Sequence, residues 1–159
     1  KVGMINIYDK VVEYVDKDTT VLALYCRTGT IGIYVCNKVK EVLGIEINEE
    51  AIADALVNKK LNNLSNINFK AGDVGKILSD NKFKVDNVIV DPPRSGLDEN
   101  AIKNIIQIEP QKIIYVSCDP VTLARDLNIL KQNYKVVEIT PFDMFCNTYH
   151  VECVALLEK

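Results

Sequence analysis

Apolar positions in this chain fall in short blocks, and the spaces between the blocks carry a helical period. The runs Val21 to Tyr25, Lys40 to Ile45, Ile67 to Ala71, Val85 to Val90 and Ile113 to Val116 are too short for helices and read as buried strands. Helices are predicted from Ile5 to Val15, Thr30 to Asn37, Asn48 to Asn62, Val74 to Ser79, Glu99 to Ile106 and Thr122 to Leu130. In the third of these, Asn48 suits the N-cap, and Ile52, Ala55, Leu56 and Leu61 form an apolar face. Two further strands, Tyr134 to Ile139 and Val151 to Leu157, have only a loop between them. They are expected to pair as an antiparallel hairpin at one edge. Strands separated by helices of this length predict an α/β fold, a doubly wound, mostly parallel, Rossmann-like sheet of seven strands.

In such a sheet, ligands collect at the carboxyl ends of the strands. The first strand is followed by Tyr25-Cys26-Arg27-Thr28-Gly29-Thr30-Ile31-Gly32, a glycine-bearing loop in which backbone can approach a ligand closely. It matches G-x-G-x-x-G poorly, because Arg27 stands where the first glycine would be. The second strand ends at Glu46, placed to accept hydrogen bonds from ribose hydroxyls. Asp73 follows the third strand and could accept from an adenine amino group, or simply cap the next helix. Together these features suggest a nucleoside cofactor, either S-adenosylmethionine or a dinucleotide.

Two strand ends carry reactive chemistry. Asp91-Pro92-Pro93-Arg94 follows the fourth strand, and Ser117-Cys118-Asp119-Pro120 follows the fifth. A thiol beside a helix start is expected to favour its thiolate. Of the other four cysteines, Cys26, Cys36 and Cys153 read as small buried hydrophobes.

Composition narrows the setting. The length of 159 residues, with 48% hydrophobic and 26% charged, suits one globular domain. The first residue is Lys1 rather than Met, so a longer parent protein is expected. No apolar stretch is long enough to span a bilayer and no signal peptide is visible, so no membrane partner is expected. Five cysteines, an odd number with no CxxC pair, suggest reduced thiols in a cytoplasmic protein. No metal site is expected, and the sole histidine, His150, reads as a local hydrogen-bonding residue. A net charge of −3 argues against this domain alone gripping a long nucleic acid, though not against an RNA held mainly by another domain.

Three segments carry a specific resemblance: Asp91-Pro92-Pro93-Arg94-Ser95-Gly96-Leu97, then Ser117-Cys118-Asp119-Pro120-Val121-Thr122-Leu123-Ala124-Arg125-Asp126-Leu127, then Asp143-Met144-Phe145 with His150-Val151-Glu152. In type and order they resemble the motifs of the RNA 5-methyluridine methyltransferases. The match runs from about Val21 to the end of the chain and corresponds to that family's catalytic domain alone, a fold of the class I methyltransferase type.

The resemblance implies S-adenosylmethionine as cofactor and a uridine of tRNA or 23S ribosomal RNA as target. It assigns Cys118 as the nucleophile that adds to uracil C6 and Glu152 as the base that removes the C5 proton. It puts Tyr25, Thr28, Gly29, Glu46, Asp73 and Asp91 around the cofactor, and Pro92 and Arg94 at the target base. RNA choice, and in some members an iron–sulfur cluster, belongs to N-terminal parts absent here.

The chain departs from the family pattern at three positions. Ala23 and Arg27 replace the usual Asp and Gly, and Cys146 replaces a proline. Arg27 could reach the cofactor carboxylate, block the pocket, or oppose a sulfonium charge. Two other readings therefore stand beside the enzyme: a weakened or non-catalytic RNA- or cofactor-binding paralogue, and an exocyclic-amino methyltransferase suggested by Asp91-Pro92-Pro93. The paired residues Arg125 and Asp126 read equally well as an exposed, helix-capping pair.

Overall fold

Each apolar run becomes a strand in the computed structural model, which describes the backbone of residues 2–143 and 151–159 and the side chains of 6–142 and 151–159. The strands are β1 (Thr20–Leu24), β2 (Glu41–Glu46), β3 (Ile67–Ala71), β4 (Asn87–Val90), β5 (Lys112–Ser117), β6 (Lys135–Asp143) and β7 (Val151–Glu158). The helices are α1 (Val2–Tyr14), α2 (Thr30–Val35), α3 (Glu49–Leu61), α4 (Val74–Asp80), α5 (Glu99–Ile108) and α6 (Pro120–Leu130). They frame one seven-stranded sheet of order β3-β2-β1-β4-β5-β7-β6. β1 to β5 pair in parallel, and β7 runs antiparallel between β5 and β6. The doubly wound sheet and its antiparallel edge hairpin are as the pattern predicts.

The central strands are apolar on both sides because helices cover both faces. Leu22, Leu24, Val88, Val90, Ile113 and Tyr115 pack into the core shared with α4, α5 and α6. Val21, Ala23, Ile89, Ile114 and Val116 pack into the core shared with α1 and α2. Side-chain caps fix the helix starts. Asn48 accepts from the Ala51 N–H at 3.1 Å, Asp73 from Lys76 at 2.9 Å, Asp98 from Ala101 at 2.7 Å and Asp119 from Val121 at 2.9 Å. Each such cap contributes about 1 kcal/mol.

Some expectations are corrected. On α3 only Ile52 and Ala55 are buried, while Leu56 and Leu61 are 48% and 73% exposed. This helix lies against β2 and β3 at the edge of the sheet, where there is little surface for a wide apolar face to cover. β1 stops at Leu24 rather than Tyr25, because Tyr25 turns into the left-handed region at φ 60°. β6 extends to Asp143 and absorbs a bulge between Val136 and Glu138. Cys146 and His150 lie outside the described residues. No helix among the described residues is long and apolar enough to cross a membrane.

The topology positions the site. From β1 the chain winds to one side through β2 and β3, then returns to place β4 on the other side of β1. A crevice opens at such a switch point, at the carboxyl ends of the strands. Because β7 is antiparallel, its first residues sit at this same end, where Cys153 is in register with Ser117.

Candidate active site

The turn after β1 is conformationally loaded. Tyr25, Arg27 and Gly29 have φ of 60°, 53° and 82°. Glycine adopts that region freely, whereas a residue with a Cβ pays about 1 kcal/mol or more. Gly29 is also needed for space, since a Cβ there would stand 2.7 Å from the Phe69 ring. Glu46, at the end of β2, holds the turn in place. One carboxylate oxygen accepts from the Arg27 N–H at 2.9 Å, and the other from the Asn48 N–H at 3.0 Å.

The loop after β4 is held by a buried carboxylate. Asp126 of α6 is 0% exposed. It accepts from the Leu97 N–H at 2.8 Å, the Tyr115 hydroxyl at 2.6 Å and the Arg125 guanidinium at 3.0 and 3.1 Å. Arg125 in turn donates to the Ser95 and Leu97 carbonyls at 2.7 and 3.1 Å, and the Thr122 hydroxyl donates to the Arg94 carbonyl at 2.8 Å. Gly96 passes directly over this cluster at φ 77°, where a Cβ would stand 2.7 Å from both Arg125 and Asp126. Asp126 is therefore buried rather than exposed, and the half-exposed Arg125 is tied to it. They anchor the Asp91–Leu97 loop to α6, and the signal for it was legible: Asp126 falls on the same helix face as Leu123 and Leu130.

Two cavities meet in the crevice. One, of about 340 Å³, is lined by Tyr8, Arg27, Thr28, Asp91, Cys118 and Glu152 among others. The second, of about 430 Å³, is lined by Tyr25, Arg27, Glu46, Ile47, Asn48, Ala51, Asp91 and Pro93. Arg27 and Asp91 belong to both. They are bonded to each other: Arg27 Nε donates to Asp91 Oδ2, and Nη2 to the Asp91 carbonyl, both at 3.3 Å.

The electrostatics of the first cavity set two carboxylates and a thiol against two guanidinium groups. Burial raises the Asp91 carboxyl to about 6, the Arg27 charge opposes this, and the Glu152 charge adds to it. Burial also raises Glu152, opposed by Arg27 and Arg94. Cys118 is raised by burial and by the charges of Glu152 and Asp91, again opposed by Arg27 and Arg94. The expected bias toward thiolate is thus reversed. Cys118 precedes the helix cap, the first α6 donor is already taken by Asp119, and the nearest carboxylates disfavour a second negative charge.

The sequence-predicted residues divide between these places. Thr28, Asp91, Cys118 and Glu152 share the first cavity, and Tyr25, Glu46 and Asp91 share the second. Asp73 caps α4 and lines neither cavity, as do Gly29, which supplies the turn, and Pro92, which is buried. Arg94 acts on Cys118 and Glu152 through its charge. Ala23 is buried in the α1–α2 core, on the same face of the sheet as Val116, which lines the first cavity. Ile47, 65% exposed beside Glu46, and Tyr8, tilted against Tyr34 at 4.7 Å between ring centroids, were missed. An isoleucine in the turn before a helix cap was a signal for the first. For Tyr8, in a helix of ordinary amphipathic pattern, there was none. Among the other cysteines, Cys36 and Cys153 are buried as expected, while Cys26 is only partly buried and lines the first cavity.

The strand order β3-β2-β1-β4-β5-β7-β6 with antiparallel β7, and a glycine turn after β1 at the switch-point crevice, give a Rossmann-like fold of the methyltransferase type. The N-methyltransferase NodS from Bradyrhizobium japonicum shares it, with a TM-score of 0.82 at 16% identity, covering 100% of this chain and 97% of that one. A more specific relationship follows from sequence. The family model for tRNA (uracil-5-)-methyltransferase matches residues 74–159, and that for the methyltransferase small domain matches residues 9–112. The chain belongs to the tRNA (uracil-5-)-methyltransferase family.

It is similar to an uncharacterized RNA methyltransferase of Caldanaerobacter subterraneus subsp. tengcongensis, with 48% identity over 99% of this chain and 36% of the relative. It is also similar to the Pyrococcus abyssi tRNA (uracil-54, C5)-methyltransferase solved in complex with S-adenosyl-L-homocysteine. There the identity is 39% and the TM-score 0.86, over 96% of this chain and 37% of that one. The chain spans about a third of the length of the curated relatives it matches.

Proposed function

We propose that the chain is the catalytic domain, residues 1–159, of an S-adenosylmethionine-dependent methyltransferase acting on C5 of a uridine in tRNA or ribosomal RNA. The observation that carries the reading is the shared cavity of Cys118 and Glu152, directly beside a second cavity suited to a nucleoside. The residues fit that cofactor. Glu46 already accepts two backbone N–H groups, yet a carboxylate has further acceptor positions for ribose hydroxyls. Ile47 offers apolar surface to a base. S-adenosylmethionine, when bound, supplies the electrophilic methyl group.

The protein side of the chemistry needs two groups. Uracil C5 is a poor nucleophile until a group adds at C6. The Cys118 sulfur forms that bond, and C5 gains enolate character and takes the methyl group. Glu152 then removes the C5 proton, and the electron pair expels the Cys118 sulfur. A uridine stacked in RNA must leave its stack to reach this cavity. Tyr8 lines the same cavity and offers an aromatic face to such a base. Gripping the RNA falls to parts of the longer relatives outside this chain, in keeping with a net charge of −3. The unpaired thiols of Cys26, Cys36, Cys118 and Cys153 suit a reducing, cytoplasmic setting.

The test separates the two roles. Glu152→Gln keeps the nucleophile and removes the base, so turnover is expected to fall about 10²- to 10⁴-fold. A methylated RNA–protein adduct should accumulate in denaturing gels. Turnover within a fewfold of the parent would remove Glu152 from the reaction.

A further inference from the structure

We propose that Arg27 sets the charge preference of the cofactor crevice, favouring an uncharged thioether over a sulfonium by holding Asp91. The inference rests on the cofactor reading above. A ligand that reaches from the Glu46–Ile47 cavity toward Cys118 must pass the residues that both cavities share, and these are Arg27 and Asp91. The group handed to a base beside Cys118 lies at that passage. A carboxylate there welcomes a cation, whereas a guanidinium opposes it.

Arg27 removes the benefit of Asp91 in two ways. Its Nε takes Asp91 Oδ2 and its Nη2 takes the Asp91 carbonyl, both at 3.3 Å, so the carboxylate already has a cation. The guanidinium also stands in the passage itself, 57% exposed against 25% for Asp91. The backbone fixes it there, because the Arg27 N–H is held by Glu46 at 2.9 Å and φ is 53°. A neutral thioether gives up little against this pair. A sulfonium loses the carboxylate and meets a like charge. Such a site retains demethylated product and admits methyl donor poorly.

The experiment is calorimetric titration of S-adenosylmethionine and of S-adenosylhomocysteine into the parent chain, Arg27→Gly and Arg27→Gln. Thermal unfolding of each protein runs alongside. Glycine relieves the left-handed strain as it removes a half-exposed ion pair, so the fold is expected to persist. Glutamine keeps bulk and removes charge. The parent is expected to bind the thioether at least tenfold more tightly, and both variants should narrow that ratio by roughly tenfold, mainly through tighter S-adenosylmethionine binding. An unchanged ratio in both variants, with binding intact, overturns this inference and leaves the cofactor reading standing. A ratio that falls in Arg27→Gly alone also overturns it, since bulk rather than charge would be responsible. If three folded proteins bind neither ligand, the cofactor reading fails, and this inference with it.

Discussion

Asp126→Ala is expected to lower the unfolding free energy by about 3–5 kcal/mol, read as a lower urea midpoint with the slope unchanged. The substitution strips partners from several donors at once. The Leu97 N–H and the Tyr115 hydroxyl lose their acceptor in a fully buried place, at about 1–3 kcal/mol each. Arg125 loses its charge partner but keeps the Ser95 and Leu97 carbonyls. Arg125→Ala is also expected to be costly, by about 3 kcal/mol, because it leaves the fully buried Asp126 carboxylate without its counter-charge. The damage should also spread to function. The same cluster fixes the loop that carries Asp91 and Arg94, so ligand binding in the crevice is expected to weaken in protein that remains folded. A loss under 1 kcal/mol for Asp126→Ala would refute the anchor.

Cys118→Ala should abolish methyl transfer, by at least about 10³-fold, with little change in stability. Without the sulfur no bond forms at C6, and C5 stays unreactive toward the methyl donor. The thiol is half-buried and makes no hydrogen bond among the described residues, so truncation costs the fold little. The pH dependence follows from the same surroundings. Burial, Glu152 and Asp91 push this thiol above its ordinary value, and only the thiolate attacks. Transfer by the parent should accordingly climb from about pH 7 to about pH 9, as the thiolate fraction grows. A flat profile over that range would mean that the thiol is not what titrates. An exocyclic-amino methyltransferase, by contrast, would keep its activity in Cys118→Ala.

The fold was legible because each central strand is a short apolar run, and a sheet covered on both faces demands nothing else of them. The antiparallel turn of β7 was legible too, from a sequence that carries no helical pattern between the last two apolar runs. That single reversal brings Glu152 to the carboxyl ends of parallel strands. Less visible was anything decided by pairing across the chain. The Arg27–Asp91 pair joins residues from two different loops, and nothing local in either loop announces it. The thiol was misjudged for a related reason: a helix start reads from sequence, but the carboxylates facing it come from the loop after β4 and from β7. Asp73 illustrates the opposite case. Its role as a cap is local and visible, while its side chain lines neither of the two cavities that meet in the crevice.

The most direct test of the central claim is denaturing mass spectrometry of the chain after incubation with S-adenosylmethionine and RNA whose uridines are replaced by 5-fluorouridine. Fluorine at C5 cannot be removed as a proton, so elimination stalls and a bond to C6 persists. The account predicts a methylated RNA–protein adduct that maps to Cys118 and disappears in Cys118→Ala. An adduct on another residue, or one that survives in Cys118→Ala, would contradict it.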